Sequence, residues 1–212
     1  MVRTKVFCLA LSLAAPLAFA QERKPMSPHG TAATQVGGKW TVEKAGAEPR
    51  YTGGKWIEVE YGRPIKRGRE PLFGAGAEYG KKFLDGAPVW RAGANQSTRL
   101  KTEVALEIGG KRLEPGNYSV FVDLKEGAWT FIVSKQPAQE KYDPNDKSGA
   151  IWGSYGYDAK YDVLRAPMST TKIAHSIDEF TIGFLDVTDK GGKLAMGWDK
   201  DVAMVDFKVA QQ

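Results

Sequence analysis

Residues 61–69 carry three arginines and one lysine within a span of seven positions, at Arg63, Lys66, Arg67 and Arg69. A guanidinium group presents paired N–H donors that fit a carboxylate, sulfate or phosphate, so this basic loop is typical of an anion site. The alternative is a solvated turn held by salt bridges, which is what most charge runs are. On the first interpretation, Arg63 and Arg67 are ligand-binding residues.

Residues 89–98, here called the Trp–Arg segment, form the second candidate site. Trp90 offers an aromatic face for a sugar or another planar group, Arg91 a fixed cation and Asn95 a polar side chain, while the small residues between them allow close approach. The alternative is a buried tryptophan with an arginine–carboxylate pair closing a β-corner. The ligand-binding interpretation adds Trp90, Arg91 and Asn95 to the predicted site.

Signatures of metal binding are weak in this sequence. The two histidines, His29 and His175, have no partner at ligand spacing, and we expect neither a zinc nor an iron site. Residues 143–149 begin like a calcium loop, but Lys147 occupies a ligand position and Ser154 stands where the bidentate glutamate belongs. We therefore predict a polar turn there, and neither a metal nor a cofactor.

Catalytic motifs are absent from the sequence as well. There is no Gly-x-Ser-x-Gly nucleophile motif and no phosphate-binding glycine loop. A pair of carboxylates of the glycosidase type stays open, because spacing along the chain does not limit which two acids meet in the fold. The sequence leaves enzymatic activity undecided and favours a binding module.

Residues 1–20 have the organisation of a cleaved secretory signal. Arg3 and Lys5 precede an uncharged stretch that ends in Ala18-Phe19-Ala20, a small-x-small cleavage pattern. The apolar stretch is shorter than the roughly 20 residues that span a bilayer, so we expect no membrane span after cleavage. The sequence thus predicts an exported protein, periplasmic or secreted, with a flexible lead-in at residues 21–39 and a single domain at residues 40–212.

Charge and cysteine content limit the partners and the means of stabilisation. The chain has 30 basic and 25 acidic residues, a net charge of +5, and cleavage removes two of the basic ones. This mild, dispersed imbalance does not argue for nucleic acid as a partner.

The only cysteine, Cys8, leaves with the signal, so the mature domain must be stabilised by packing rather than by disulfides.

Hydrophobic residues after position 39 recur mainly with a period of two, which indicates strands with one buried face. The alternating series span residues 57–61, 100–108, 118–124, 129–133, 180–184, 194–198 and 205–209. Turn residues such as Gly109-Gly110 separate them, while residues 62–97 and 135–160 are irregular and rich in glycine and proline. We predict an all-β fold, an antiparallel β-sandwich or jelly roll, whose long loops carry the function.

The chain resembles a bacterial family known as the domain of unknown function 2911 family. The most specific matching motif is Trp-Arg-x-Gly-Ala-Asn at residues 90–95. Other matching segments are residues 27–28, 59–64, 67–69, 113–119, 129–130, 152–153, 157–158 and 162–165. The resemblance implies an exported all-β protein and no particular activity. Gln96 stands where the family pattern implies an acid, which leaves the arginines freer for a ligand, and residues 81–88 look like an additional loop.

Three functions follow from this sequence. The favoured one is a non-catalytic extracytoplasmic module that binds a small polar or saccharide ligand, or an envelope component, through the loops of residues 62–97. The alternatives are a hydrolase or lyase that acts on a carbohydrate or peptide through unidentified carboxylates, and a structural envelope protein with a protein partner. A binding module predicts that Trp90, Arg63 and Arg91 line one cleft, whereas a partner-binding protein predicts a flat exposed apolar patch.

Overall fold

The computed structural model describes residues 25–84 and 86–211. The predicted signal at residues 1–20 and the first four residues of the predicted lead-in lie outside the described residues. Among the described residues, no helix combines the length and the apolar character needed to cross a bilayer.

Two antiparallel sheets make up the domain, as the sequence predicted. The larger has six strands, in the spatial order β1 (His29–Val36), β4 (Lys55–Gly62), β5 (Thr98–Thr102), β8 (Gly116–Asp123), β9 (Thr130–Ser134) and β10 (Asp162–Pro167). The smaller has four, in the order β11 (Ser169–Thr188), β12 (Gly191–Val209), β6 (Leu106–Ile108) and β7 (Lys111–Leu113). A separate two-stranded arm pairs β2 (Lys39–Thr41) with β3 (Arg50–Thr52).

Apolar and polar residues alternate along β4, and this alternation explains why the strand buries one of its two faces. In β4, Ile57, Val59 and Tyr61 are nearly inaccessible, whereas Glu60 between them is exposed. The turn between β6 and β7 is Gly109-Gly110, with φ values of 58° and 73°. Two successive residues at positive φ give the tight turn whose twist matches an antiparallel hairpin, which explains the paired glycines.

The core between the sheets is dominated by aromatic rings. Trp90 and Trp198 stack with their planes 10° apart and their centroids 6.3 Å apart. Phe180 packs edge-on against Trp90 at 4.9 Å, and Phe73 contacts Trp129 at 5.1 Å. This cluster supplies the bulk that a domain without disulfides needs.

Two expectations about secondary structure are corrected. Residues 29–36, predicted as part of a flexible lead-in, form β1, whose eight residues all pair with β4. Main-chain hydrogen bonds to β4, in which apolar and polar residues alternate, order this segment. Val36 is the only large apolar residue of β1. The series at residues 100–108 is not one strand, because a bond from Thr102 Oγ1 to the Val104 carbonyl turns the chain from β5 in one sheet to β6 in the other.

The two long irregular stretches lie outside the regular sheets, as predicted. The helical structure among the described residues of 63–97 is a 3₁₀ turn at Gly76–Glu78 and a one-turn helix, α1 (Lys81–Leu84). The second stretch ends in a 3₁₀ turn at Ala159–Tyr161. Isolated β-bridges connect both stretches to their surroundings: Ile65 pairs with Glu179, Trp90 with Val122 and Ala138 with Ile151.

Candidate ligand-binding cleft

The basic loop and the Trp–Arg segment, 20 or more positions apart in the sequence, form opposite sides of one cleft of about 560 Å³. Its basic side chains are Arg67, Arg69, Lys82 and Arg91. The other lining residues are uncharged: Met26, Ser27, Pro64, Ile65, Phe83, Trp90, Gly93, Ala94, Asn95 and Trp198. No acidic residue lines this basic cleft in the part of the chain that the structure describes.

A close main-chain contact joins the two sides. A Cβ atom added to Gly62 would lie 2.0 Å from the Ala94 carbonyl oxygen, and one added to Gly93 would lie 2.8 Å from the Gly62 carbonyl oxygen. Thr98 fixes the far end of the segment by donating from Oγ1 to the Ala92 carbonyl at 2.8 Å. Only residues without a side chain allow this approach, which sets the distance between the two loops.

The base of the loop is anchored by a buried lysine. Lys66 is 6% exposed, and its ammonium donates to Asp199 in β12 at 2.7 Å and also to Glu70. The hydrogen bond to Asp199, followed by that to Glu70, raises the pKa of Lys66. Ser176 donates to the same Asp199 oxygen at 2.8 Å. This network holds the loop against the smaller sheet, and Arg67 and Arg69, one and three positions after Lys66 in the sequence, line the cleft.

Arg69 is held in place by uncharged groups. Its Nε donates to the Lys66 carbonyl at 2.9 Å and its Nη2 to the Ile65 carbonyl at 2.8 Å. The guanidinium carbon lies 5.3 Å from the ring centre of Trp198. Neutral carbonyls and an aromatic face orient the cation without cancelling its charge, so Arg69 is preorganised for an anion.

Arg91 is oriented in a similar way on the other side. Its Nη1 donates to the Asn95 carbonyl at 3.1 Å, and its guanidinium lies 5.4 Å from the ring centre of Tyr155. No carboxylate of the described residues lies within 4 Å of it. The alternative interpretation, an arginine–carboxylate pair closing a β-corner, therefore does not describe Arg91.

Arg67 and Lys82 complete the set of cations. Both are exposed, and among the described residues neither forms an ion pair. Asn95 is also exposed, and its amide nitrogen lies 3.5 Å from the Ser27 carbonyl. These three side chains are free to adjust to a ligand, in contrast to the two fixed guanidiniums.

Trp90 and Trp198 form the floor of the cleft. Each is only 1% exposed, and Trp90 Nε1 donates to the Gly93 carbonyl at 3.2 Å. The sequence suggested that Trp90 stacks on a ligand, but its faces are covered by other core aromatics. Its role in the geometry is to support Gly93, and hence the Trp–Arg segment, from below.

Arg63 lies apart from the other predicted residues. Its Nη2 forms an ion pair with Glu179, and its backbone N–H donates to the Pro28 carbonyl at 2.8 Å. Arg63 does not line the cleft. Glu179 neutralises Arg63, whereas no described residue neutralises Arg67. Because Glu179 is distant in the sequence, the residues that neighbour Arg63 in the sequence do not indicate this difference.

Sequence reasoning missed Lys82 and Trp198. The only signal for Lys82 was the Lys81-Lys82 pair within the stretch that looked like an additional loop. Trp198 belongs to an alternating strand and was assigned to the core, where it indeed lies. Gln96, at the position where an acid was expected, pairs with His29 at 3.1 Å rather than with an arginine.

A second, smaller cavity of about 310 Å³ lies on the other side of residues 70–74 and contains the acids Glu70, Glu126, Asp199 and Asp201. Most of these are engaged: Asp201 pairs with Lys172 at 2.6 Å, and Glu126 accepts from the Gly76 N–H at 2.7 Å. Burial favours the neutral form of Asp199, but bonds from Lys66 and Ser176 outweigh it and lower its pKa. A lowered pKa is the opposite of what a general acid needs.

The turn at residues 143–149 is held by its own hydrogen bonds. Asp146 accepts from the Ser148 N–H and hydroxyl at 2.8 and 2.9 Å, which lowers its pKa. Asp143 accepts from the Asn145 N–H at 2.8 Å. Within the described ranges, no group of three or more histidine, cysteine or acidic side chains is placed to hold a metal ion.

Exposed aromatic residues occur on and beside the two-stranded arm. Trp40 is 71% exposed and packs edge-on against Tyr51 at 5.4 Å, while Val42 and Trp56 are 56% and 42% exposed. Tyr51 donates to Asp189 in the turn between β11 and β12, so the arm is tied to the domain at this point.

Comparison with known proteins connects the chain to one family. The family model described as "Protein of unknown function (DUF2911)" matches residues 44–207, which include both sides of the basic cleft. A search of curated proteins and a search of solved structures give no significant match.

Proposed function

The chain belongs to the DUF2911 family of proteins of unknown function, and we propose that it is an exported module that binds a small anionic ligand in the basic cleft. The observation that carries this proposal is the charge of the cleft. Four basic side chains line it, and the described residues place no carboxylate on its walls. A concave site with convergent charges of one sign attracts ligands of the opposite sign.

Preorganisation supports a binding role over a merely solvated loop. Arg69 and Arg91 are oriented by carbonyl oxygens and aromatic rings, and both keep N–H donors that no described residue uses. A solvated basic loop would leave its arginines unrestrained or neutralise them in salt bridges, as happens for Arg63. Fixed and uncompensated guanidiniums lower the ordering cost of binding.

The same arrangement favours binding over catalysis. The cleft offers cations, one amide and an apolar floor, but among its described lining residues it has no histidine or carboxylate to act as a base. The acids of the second cavity are occupied by Lys66, Lys172 and backbone groups. The expectation of a hydrolase that uses paired carboxylates therefore finds little support in the geometry.

A thermal-shift screen of residues 21–212 tests this proposal. The library pairs each small anion, such as sulfate, citrate and glucuronate, with a neutral analogue at constant ionic strength. We expect stabilisation by one or more anions, by RT ln(1 + [L]/Kd), and none by the neutral analogues. The stabilisation should disappear in an Arg69→Gln/Arg91→Gln variant and persist in Arg63→Gln, the matched control. An anion shift that survives in the double variant would contradict a site in the cleft.

A further inference from the structure

The number of uncompensated cations in the basic cleft indicates the charge of its ligand. Among the described residues, Arg69 and Arg91 donate hydrogen bonds to neutral carbonyl oxygens only, and no carboxylate lies within 4 Å of Arg67 or Lys82. Like charges held close together repel one another, so a ligand with one negative charge relieves only part of this repulsion. A ligand with a doubly charged group relieves more of it.

The directions of the fixed donors also distinguish between anions. Arg69 and Arg91 come from different loops, and each has guanidinium nitrogens that bond to no described residue, Nη1 of Arg69 and Nη2 of Arg91 among them. A carboxylate has two oxygens in one plane, which suit a single guanidinium. A phosphate monoester has three terminal oxygens in a tetrahedral arrangement, which accept from donors on several sides.

The floor of the cleft limits what the rest of the ligand can be. Trp90 and Trp198 are each 1% exposed and present almost no face for stacking, so a nucleobase or another flat ring has little surface to cover. The accessible wall includes the polar groups of Asn95 and Ser27, which suit hydroxyl groups. Recognition therefore depends on charge and hydrogen bonds.

From these observations we infer that the ligand is a phosphate monoester of a small polyhydroxy compound, such as a sugar phosphate. This inference rests on the proposed function and specifies the class of anion that the cleft takes. The dianionic headgroup is held between Arg69 and Arg91, and Arg67 and Lys82 add the remaining positive charge.

Calorimetric titration with three probes of one carbon skeleton tests the inference: glucose 6-phosphate, glucuronate and glucose, at about pH 7.5 and constant ionic strength. We expect glucose 6-phosphate to bind about tenfold more tightly than glucuronate, and glucose not to bind. A ratio below threefold would overturn the inference and leave an anion site standing. Failure of both anions to bind would overturn the inference, and failure of every anion in the thermal-shift screen as well would contradict the proposed function itself.

The pH dependence provides a second readout. The second pKa of a phosphate monoester is about 6, whereas lysine and arginine stay charged throughout this range. Lowering the pH from about 7.5 to 5 converts most of the ester to the monoanion, so its affinity should fall by roughly fivefold if the monoanion binds about tenfold more weakly than the dianion. The affinity of sulfate, a dianion throughout, serves as the control. Parallel changes for glucose 6-phosphate and sulfate would show that the second charge is not recognised.

Single substitutions of Arg67 and Lys82 test whether these two cations recognise the second negative charge of the phosphate group. Arg67→Gln and Lys82→Gln should each weaken glucose 6-phosphate more than glucuronate, because they remove charge without disturbing the two fixed guanidiniums. Arg63→Gln, which alters an arginine already paired with Glu179, should change neither affinity. Equal losses for both probes in Arg67→Gln and Lys82→Gln would overturn the assignment of these cations to the second charge.

Discussion

The ammonium of Lys66 lies 2.7 Å from a carboxylate oxygen of Asp199, and both residues are buried. The pair joins the loop after β4 to β12, on which Trp198 precedes Asp199. Removing one partner of such a pair leaves the other charge buried without its counterpart. The position of Arg67 and Arg69 at the cleft therefore depends on a contact that no ligand touches.

The contribution of the Lys66–Asp199 pair to the stability of the protein should depend on pH in the acidic range. The pKa of Asp199 is lowered in the folded protein, so its contribution is fully present above the unfolded value of about 3.9 and is lost as the pH falls below it. We expect Asp199→Asn to be less stable than the wild type at pH 7, and we expect the difference to be smaller at about pH 2.5, because the contribution declines as the pH falls toward the lowered pKa of the folded state. Urea unfolding at both pH values measures this difference. An equal difference at both would contradict the assigned role of the Asp199 charge.

Gly62 sets the distance between the two sides of the cleft. Gly62→Ala places a Cβ atom against the Ala94 carbonyl and should lower the free energy of unfolding by about 1–3 kcal/mol, the usual cost of overpacking. It should also weaken anion binding by moving the Trp–Arg segment. Gly183→Ala is the control, because no atom lies within 4 Å of the added Cβ atom and its backbone is not at positive φ. Equal stability of the two variants would show that the Gly62–Ala94 contact is not tight.

Two tryptophans should differ sharply in their contribution to stability. Trp90 is 1% exposed, so Trp90→Ala should cost about 3–5 kcal/mol. Trp40 is 71% exposed and loses mainly its contact with Tyr51, so Trp40→Ala should cost no more than about 1.5 kcal/mol. Chemical denaturation measures both.

Trp90→Phe provides a milder variant if Trp90→Ala does not fold. It keeps an aromatic ring but loses the bond to the Gly93 carbonyl, so it should be less stable than the wild type and bind anions more weakly. Stability equal to that of the wild type would contradict the supporting role assigned to Trp90.

The sequence predicted most of the strands but missed others. Alternation identified β4, which has one buried face, and also β8, β9 and much of β12, although β8 and β9 bury residues on both faces. It missed β1, whose order comes from pairing with β4 rather than from large apolar side chains. It also missed β10, in which only Leu164 and Ala166 are buried.

The cleft could be predicted only in part. Residue types pointed to the basic loop and the Trp–Arg segment, and the fold brings them together through the contact between Gly62 and Ala94, which leaves no pattern in the sequence. Residue types could not separate Arg67 from Arg63, because the partner of Arg63 is Glu179 on a distant strand. Nor could they show that Trp90 is covered, since burial depends on Phe180 and Trp198 from the other sheet.

The most direct test of the central claim is an NMR titration of ¹⁵N-labelled residues 21–212 with inorganic phosphate. An anion site in the basic cleft predicts chemical-shift changes concentrated in residues 63–69 and 90–95 and at Lys82. It also predicts a change at the Trp90 indole N–H, which reports on Gly93 through its hydrogen bond. Changes confined to other surfaces, or none at phosphate concentrations that stabilise the protein, would contradict an anion site in the basic cleft.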